Sequence, residues 1–268
     1  MATDWIRRLL AREPPTRIGT SITDEPSYTA ICQRAADDPE TFATFRSDPV
    51  YTHAVETLTP EIGRDCLDVI RRAGHLSLDD HIDRFKVGTE RGGALLTDYA
   101  GVGAIAPTTL RYVKILSDLV GLFGSLAGAE IVEIGVGYGG QAKIINDYFD
   151  VRSYVLVDLP SALALARRFL EPFDMKSIEA MSAHETSVRR SDLLISNYAF
   201  SELTRGVQQM YVERLISGAA HGYLTCNFIS DLQGIDSFSE AELLGMRTGS
   251  RMIPEEPLTH PANKVLVW

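Results

Sequence analysis

The stretch from Ile131 to Ala142, IVEIGVGYGGQA, decides how the rest of the chain is read. A short apolar run of strand length meets a glycine turn, and a segment able to form a helix follows. Gly135, Gly137 and Gly140 satisfy G-x-G-x-x-G, in which glycines permit a tight turn and a close approach of backbone to a ligand. Alone that pattern is weak, but its surroundings fit. Asp158 closes the next strand, SYVLVD, 21 residues beyond Gly137. A carboxylate there can accept hydrogen bonds from both hydroxyls of a ribose. The ligands to weigh are a dinucleotide for hydride transfer and S-adenosylmethionine for methyl transfer. The alternative is a turn that only packs a helix on a strand.

Glu133, two residues before the first glycine, separates the two ligands. A pyrophosphate would be repelled by a carboxylate at that strand end, whereas a sulfonium and an ammonium would be attracted. None of the ten tyrosines has a lysine four residues on, so the Tyr-x-x-x-Lys pair of short-chain reductases is missing. No G-x-x-x-x-G-K-[ST] occurs, which removes the P-loop nucleotidases.

Outward from this stretch, strands are expected near 130–135, 153–158, 177–182, 191–196, 221–228, 250–255 and 263–268. Helices are expected near 140–149, 160–171, 203–217 and 237–245, the last opened by a Ser237–Glu240 capping box. Such alternation implies an α/β fold with a mostly parallel sheet between helices. The last two strands have no helix between them, which predicts a hairpin with one antiparallel strand at the end of the sheet. Pro107 starts another helix. Residues 87–105 are glycine-rich and aperiodic and read as a long loop. From about 26 to 86 the spacing is helical, with breaks at Asp38-Pro39, Asp48-Pro49 and Thr59-Pro60, where proline suits a first helical position. Residues 1 to about 25 read as a loose arm in which WIRRLLAR suggests a short amphipathic helix.

The formal net charge of -10 and pI near 5.1 disfavour nucleic acid as a partner. Cys32, Cys66 and Cys226 are scattered and suit a reducing cytoplasm. No secretory h-region or apolar run long enough for a membrane span is expected.

With these residues in view, the chain resembles the bacterial sugar O-methyltransferase family, class I S-adenosylmethionine enzymes. APTTLRYVKILSDL (106–119), IVEIGVGYGGQAKII (131–145), DLLISNYAFSELTRGVQQMYVERLI (192–216), GYLTCNFI (222–229) and PEEPLTHPANKVLVW (254–268) carry the resemblance. Val136 stands where the family pattern has glycine, and Ala106 where it has serine. The resemblance implies a Rossmann-like class I methyltransferase domain over 91–268, with residues 1–90 as a helical extension or lid. It implies that Glu133, Gly135, Gly137 and Tyr138 line the methionine end of the cofactor, that Asp158 holds the ribose, and that Leu159 lies beside the adenine. Ala183 and His184 would flank the adenine ring, and Arg111 would pair with the cofactor carboxylate through its planar fork.

Methyl transfer to a sugar hydroxyl needs alignment with the methyl carbon and a base for the hydroxyl proton. SNYAFSEL follows the fourth strand of the sheet, so Asn197, Tyr198 and Glu202 point towards the ligand crevice at the carboxyl ends of the strands. Asn197 would anchor the cofactor or the acceptor, Tyr198 offers a wall and a hydroxyl, and Glu202 is the first choice of base, with His260 the second. Glu202 is also readable as a carboxylate at a helix N-terminus. No metal site is expected. The acceptor is a small molecule, a sugar or glycoside first and a carboxylate or phenol as the alternative. A non-catalytic cofactor-binding partner of a biosynthetic enzyme is a further alternative, and a homodimer is compatible with all of these.

Overall fold

The structure is a computed structural model, and it describes residues 26–175, 177–228 and 235–268. The amphipathic stretch WIRRLLAR lies outside the described residues. The helical lead-in follows from its prolines. Helices α1 (Pro26–Asp37), α2 (Pro39–Thr44), α3 (Pro49–Ala54), α4 (Pro60–Ala73) and α5 (Leu78–Lys86) succeed one another. Asp38 caps α2 by accepting from Thr41 N at 2.7 Å, Asp48 caps α3 from Val50 N at 2.8 Å, and Thr59 caps α4 from Ile62 N at 3.4 Å. Each cap is followed by a proline that has no N–H to leave unpaired. The segment 87–105, expected as a loop, contains a small hairpin, β1 (Thr97–Tyr99) paired antiparallel with β2 (Gly103–Ile105). Three-residue strands are too short to show a period, which is why the spacing hides them. Tyr99 ties the hairpin to α4 by donating to Pro60 O at 3.1 Å.

Helix α6 (Pro107–Phe123) leads into the main sheet. Its strands are β3 (Glu130–Ile134), β4 (Ser153–Asp158), β5 (Ile178–Ser182), β6 (Ser191–Asn197), β7 (Ala219–Asn227), β8 (Arg251–Pro254) and β9 (Asn263–Val267). Between them lie α7 (Gly140–Tyr148), α8 (Pro160–Leu170), α9 (Arg205–Arg214) and α10 (Glu240–Gly245). The order across the sheet is β5-β4-β3-β6-β7-β9-β8. The first five strands in that order are parallel, and β9 runs antiparallel to both of its neighbours. The antiparallel strand is therefore one place in from the edge rather than at the end of the sheet. Burial explains the choice. Val265, Leu266 and Val267 are buried, whereas β8 is half-exposed and contains Pro254, which an edge position tolerates.

Alternate residues of the sheet fill two cores. Ile131, Tyr154, Leu156, Leu193, Ile195 and Tyr223 face one side, where they meet α6, α7, α8 and the N-terminal helices in one continuous cluster. Val132, Ile134, Val155, Val157 and Leu194 face the other, against Tyr211, Leu215 and Leu243. No helix among the described residues is long and apolar enough to cross a membrane.

The capping box at α10 sits two residues later than expected. Ser239 accepts from Glu242 N at 3.4 Å and Glu242 accepts from Ser239 N at 2.8 Å. Both residues of the expected box have other partners. The Ser237 hydroxyl donates to Leu203 O at 2.6 Å, and Glu240 takes Lys264 at 2.6 Å. Ser239→Ala is expected to lower unfolding free energy by about 1 kcal/mol, read by denaturant melts.

Candidate functional site

The chain leaves β3, visits β4 and β5 on one side, and returns to β6 on the other. This switch point, at the carboxyl ends of β3 and β6, is where open α/β sheets bind ligands. The glycine turn and the SNYAFSEL segment both lie there.

At the tip of β3, Gly135 (φ 77) and Gly137 (φ 55) hold left-handed conformations. A side-chain carbon at Gly135 would overlap the Ala199 methyl, so the turn and the segment after β6 are in direct contact. Asp158, ending β4, pins the turn from the other side. One of its oxygens accepts from Val136 N at 2.7 Å and Gly137 N at 3.1 Å, and the other from Leu159 N at 2.7 Å. Burial pushes the Asp158 carboxyl up to about 6 against the opposing pull of these three donors.

Glu133 is only 1 % exposed. It lies opposite Leu156 in the parallel register, and Tyr154, two residues back on the same face, donates to it at 2.8 Å. Burial raises its pKa to about 8, the Tyr154 hydroxyl pulls it down, and the Asp158 charge adds to the rise. Two carboxyl groups thus sit near the tips of adjacent parallel strands, both raised above their ordinary values by burial.

Ser196 organises the tip of β6. Its hydroxyl donates to Ile134 O at 2.9 Å and accepts from Phe200 N at 3.0 Å, which turns the chain back on itself. Ile134 pairs with Ser196, so Asn197 lies one step on, alongside Gly135. Both polar atoms of the Asn197 amide are enclosed without a hydrogen-bond partner. Among the described residues Tyr198 is the only non-glycine residue with positive φ, at 68°. Such strain is kept where the surroundings impose it, and it gathers at functional sites. The Tyr198 hydroxyl donates to Glu255, whose second oxygen accepts from Thr259 N at 2.9 Å, the Thr259 hydroxyl at 2.8 Å and Asn263 Nδ2 at 3.1 Å. Glu202 accepts from Asn227 Nδ2 at 2.5 Å, and burial raises its pKa.

The N-terminal helices form the other wall. Tyr51 and Val55 lie against Gly137, and Tyr51 stacks on Tyr28 and meets Phe45 edge-on. Arg46, 1 % exposed, bonds Glu56 at 2.5 Å and Thr89 O at 2.7 Å, and its guanidinium lies 4.4 Å from the centre of the Tyr138 ring. Tyr138 is enclosed by this cation and by Phe45, Tyr112 and Phe169. Arg111 donates from Nη2 to Val55 O at 3.3 Å, while its Nε is buried without a partner. Arg111, Lys114, Tyr198, Thr225, Glu255 and Thr259 border a cleft of about 20 Å³, room for one water.

The structure therefore brings Glu133, Gly135, Gly137, Asp158 and Asn197 to the tips of three neighbouring strands, with Arg111 and Tyr198 bordering the cleft. Leu159 is the N-cap residue of α8, beside the Asp158 carboxyl. Ala183 and His184 open a 3₁₀ turn after β5, with Ala183 against the second core and His184 exposed. His260 is half-buried and accepts from Ala262 N at 3.1 Å, outside the set that lines the cleft. Among the described residues no group of three or more His, Cys, Asp or Glu could hold a metal ion. Sequence reasoning missed Tyr51, Tyr154 and Asn227. Their parts depend on packing between segments far apart in the chain, although the tyrosine two residues from the Glu133 register position was within reach of strand pairing.

No family model matches the chain, and no curated protein matches it. Solved structures similar to it include the magnesium protoporphyrin IX methyltransferase of Synechocystis PCC 6803 with bound SAH, at 12 % identity over 59 % of this chain and 80 % of that one, TM-score 0.44. A SAM-dependent methyltransferase from Aquifex aeolicus is 15 % identical over 58 % of this chain and 87 % of its own, TM-score 0.42. The pyocyanin biosynthetic protein PhzM is 13 % identical over 59 % of this chain, TM-score 0.42, and the match spans 56 % of its length.

Proposed function

We propose that this chain is an S-adenosylmethionine-dependent O-methyltransferase acting on a hydroxyl of a sugar or glycosylated small molecule. The observation that carries the reading is the pairing of Glu133 and Asp158 at the tips of adjacent parallel strands around a left-handed glycine turn. The donor set fits the ligand. A buried carboxyl held at about 8 ionises readily once a cation is beside it. Asp158 accepts three hydrogen bonds, and a carboxylate has about four lone-pair sites, so room remains for a ribose hydroxyl. The unpaired amide of Asn197 supplies a further donor and acceptor at the same level of the sheet.

When bound, the cofactor supplies an electrophilic methyl group on a sulfonium. The chain's residues do the rest. Asn197 anchors and Tyr198 walls the site. Glu202, whose carboxyl burial raises and which Asn227 holds, is the proposed base for the acceptor's proton, from a place beside rather than on the border of the cleft. The polar border of the cleft, with Arg111, Thr225, Glu255 and Thr259, suits a hydroxylated acceptor better than a flat apolar one. At about 20 Å³ the cleft admits a sugar only when the walls formed by α4 and the 255–259 loop part.

Calorimetric titration with S-adenosylhomocysteine and with NADH tests the cofactor. Binding of the first and not the second is expected, and the reverse result overturns the reading. Methyl incorporation from labelled cofactor into a panel of glycosides and aryl acids then tests the acceptor. Label in the aryl acids alone would replace the sugar by a carboxylate or phenol.

A further inference from the structure

Resting on the proposed cofactor, we propose that Tyr51 is a ligand-binding residue: its hydroxyl donates a hydrogen bond to the carboxylate at the amino-acid end of S-adenosylmethionine, a group it shares with Arg111. Tyr51 is fully buried, and its hydroxyl has no hydrogen-bond partner. A buried hydroxyl left unpaired is costly and calls for a partner. Its position names the place. A side-chain carbon at Gly137 would come within 3.6 Å of that hydroxyl, so the glycine leaves open a space that the tyrosine faces.

The chemistry of the ligand group follows from what is already in use. Two of the turn's donors, Val136 N and Gly137 N, are committed to Asp158. An anionic group arriving beside Gly137 is then within reach of side-chain donors. Two buried donors without partners lie on helices close to it. Tyr51 Oη comes from α3, and Arg111 Nε comes from α6. Val55 links them: its N–H donates to Tyr51 O at 2.9 Å, its carbonyl accepts from Arg111, and its methyl groups lie beside Gly137. Burial keeps the Tyr51 phenol protonated, so it has a proton to donate. A phenol hydroxyl and a guanidinium Nε, each without a partner and joined through Val55, offer two donors to the two oxygens of a carboxylate.

The test compares two probes, S-adenosylhomocysteine and 5′-methylthioadenosine, which lacks the amino-acid portion. Each is titrated into the full chain and into Tyr51→Phe, and the ligand-free proteins are melted. Tyr51→Phe is expected to bind S-adenosylhomocysteine roughly tenfold or more weakly, with 5′-methylthioadenosine affinity unchanged. Its ligand-free melting temperature should equal or exceed that of the parent, because the change removes an unpaired buried hydroxyl. Equal S-adenosylhomocysteine affinity in the two proteins, equal weakening of both probes, or a lower ligand-free melting temperature would overturn the assignment. Absence of S-adenosylhomocysteine binding to the parent protein is a separate result, which brings down the cofactor reading itself.

Discussion

Glu133→Gln raises the melting temperature at about pH 8.5 by roughly 10 °C and leaves it nearly unchanged at about pH 4.5; this is the expected result of thermal melts of the ligand-free protein. The sign follows from the proton count. Burial lifts the Glu133 carboxyl to about 8 in the folded state, against an ordinary value of 4.5. Between those values the folded chain holds a proton that the unfolded chain has lost, so stability falls as pH rises through the window and levels off above it. At about 1.4 kcal/mol per pH unit the full fall is on the order of 4 kcal/mol. Glutamine keeps an acceptor for the Tyr154 hydroxyl and has nothing to ionise, so the variant lacks this slope. A smaller fall belongs to Asp158 between 3.8 and about 6 and persists in both proteins. Parallel melting curves across the window would refute the account of Glu133. With the proposed cofactor bound, the carboxyl ionises, and calorimetry at neutral pH should show proton release that Glu133→Gln lacks.

Gly135→Ala is expected to abolish S-adenosylhomocysteine binding and to cost several kcal/mol of stability. Two separable effects contribute. At φ 77 an alanine pays about 1–2 kcal/mol for a left-handed conformation. Its methyl group also overlaps that of Ala199, which Ser196 holds in place through Ile134 O and Phe200 N. The second substitution Ala199→Gly should therefore restore part of the stability while leaving the conformational cost. If Gly135→Ala alone melts within 1 °C or so of the parent, the contact between the turn and the segment after β6 is not as described.

Much of this arrangement was legible before any coordinate, for local reasons. Proline after aspartate or threonine marks three helix starts because the missing N–H and the capping oxygen act within four residues. The apolar run before Gly135 and the aspartate ending SYVLVD fix two strand tips, since strand length and glycine position are sequence properties. What stayed hidden is set by segments far apart in the chain. Nothing in the lead-in marks Tyr51 as the residue that meets Gly137, because that contact spans more than eighty residues. Glu255 reads as one of two adjacent acids in PEEPLTH, and only the folded loop shows four donors converging on its carboxylate. The capping box at α10 slipped by two because S-x-x-E occurs twice in that segment, and tertiary partners for Ser237 and Glu240 select the second.

The place of β9 has a consequence for the order of assembly. β8 precedes β9 in the chain yet pairs only with it, and β9 in turn rests on β7. An emerging chain therefore carries a strand with no docking edge until the following segment slots in and bridges it to the nucleus formed by β3 to β7. Amide protons of β8 should gain protection together with those of β9 in a pulse-labelled refolding experiment, after the parallel strands have closed.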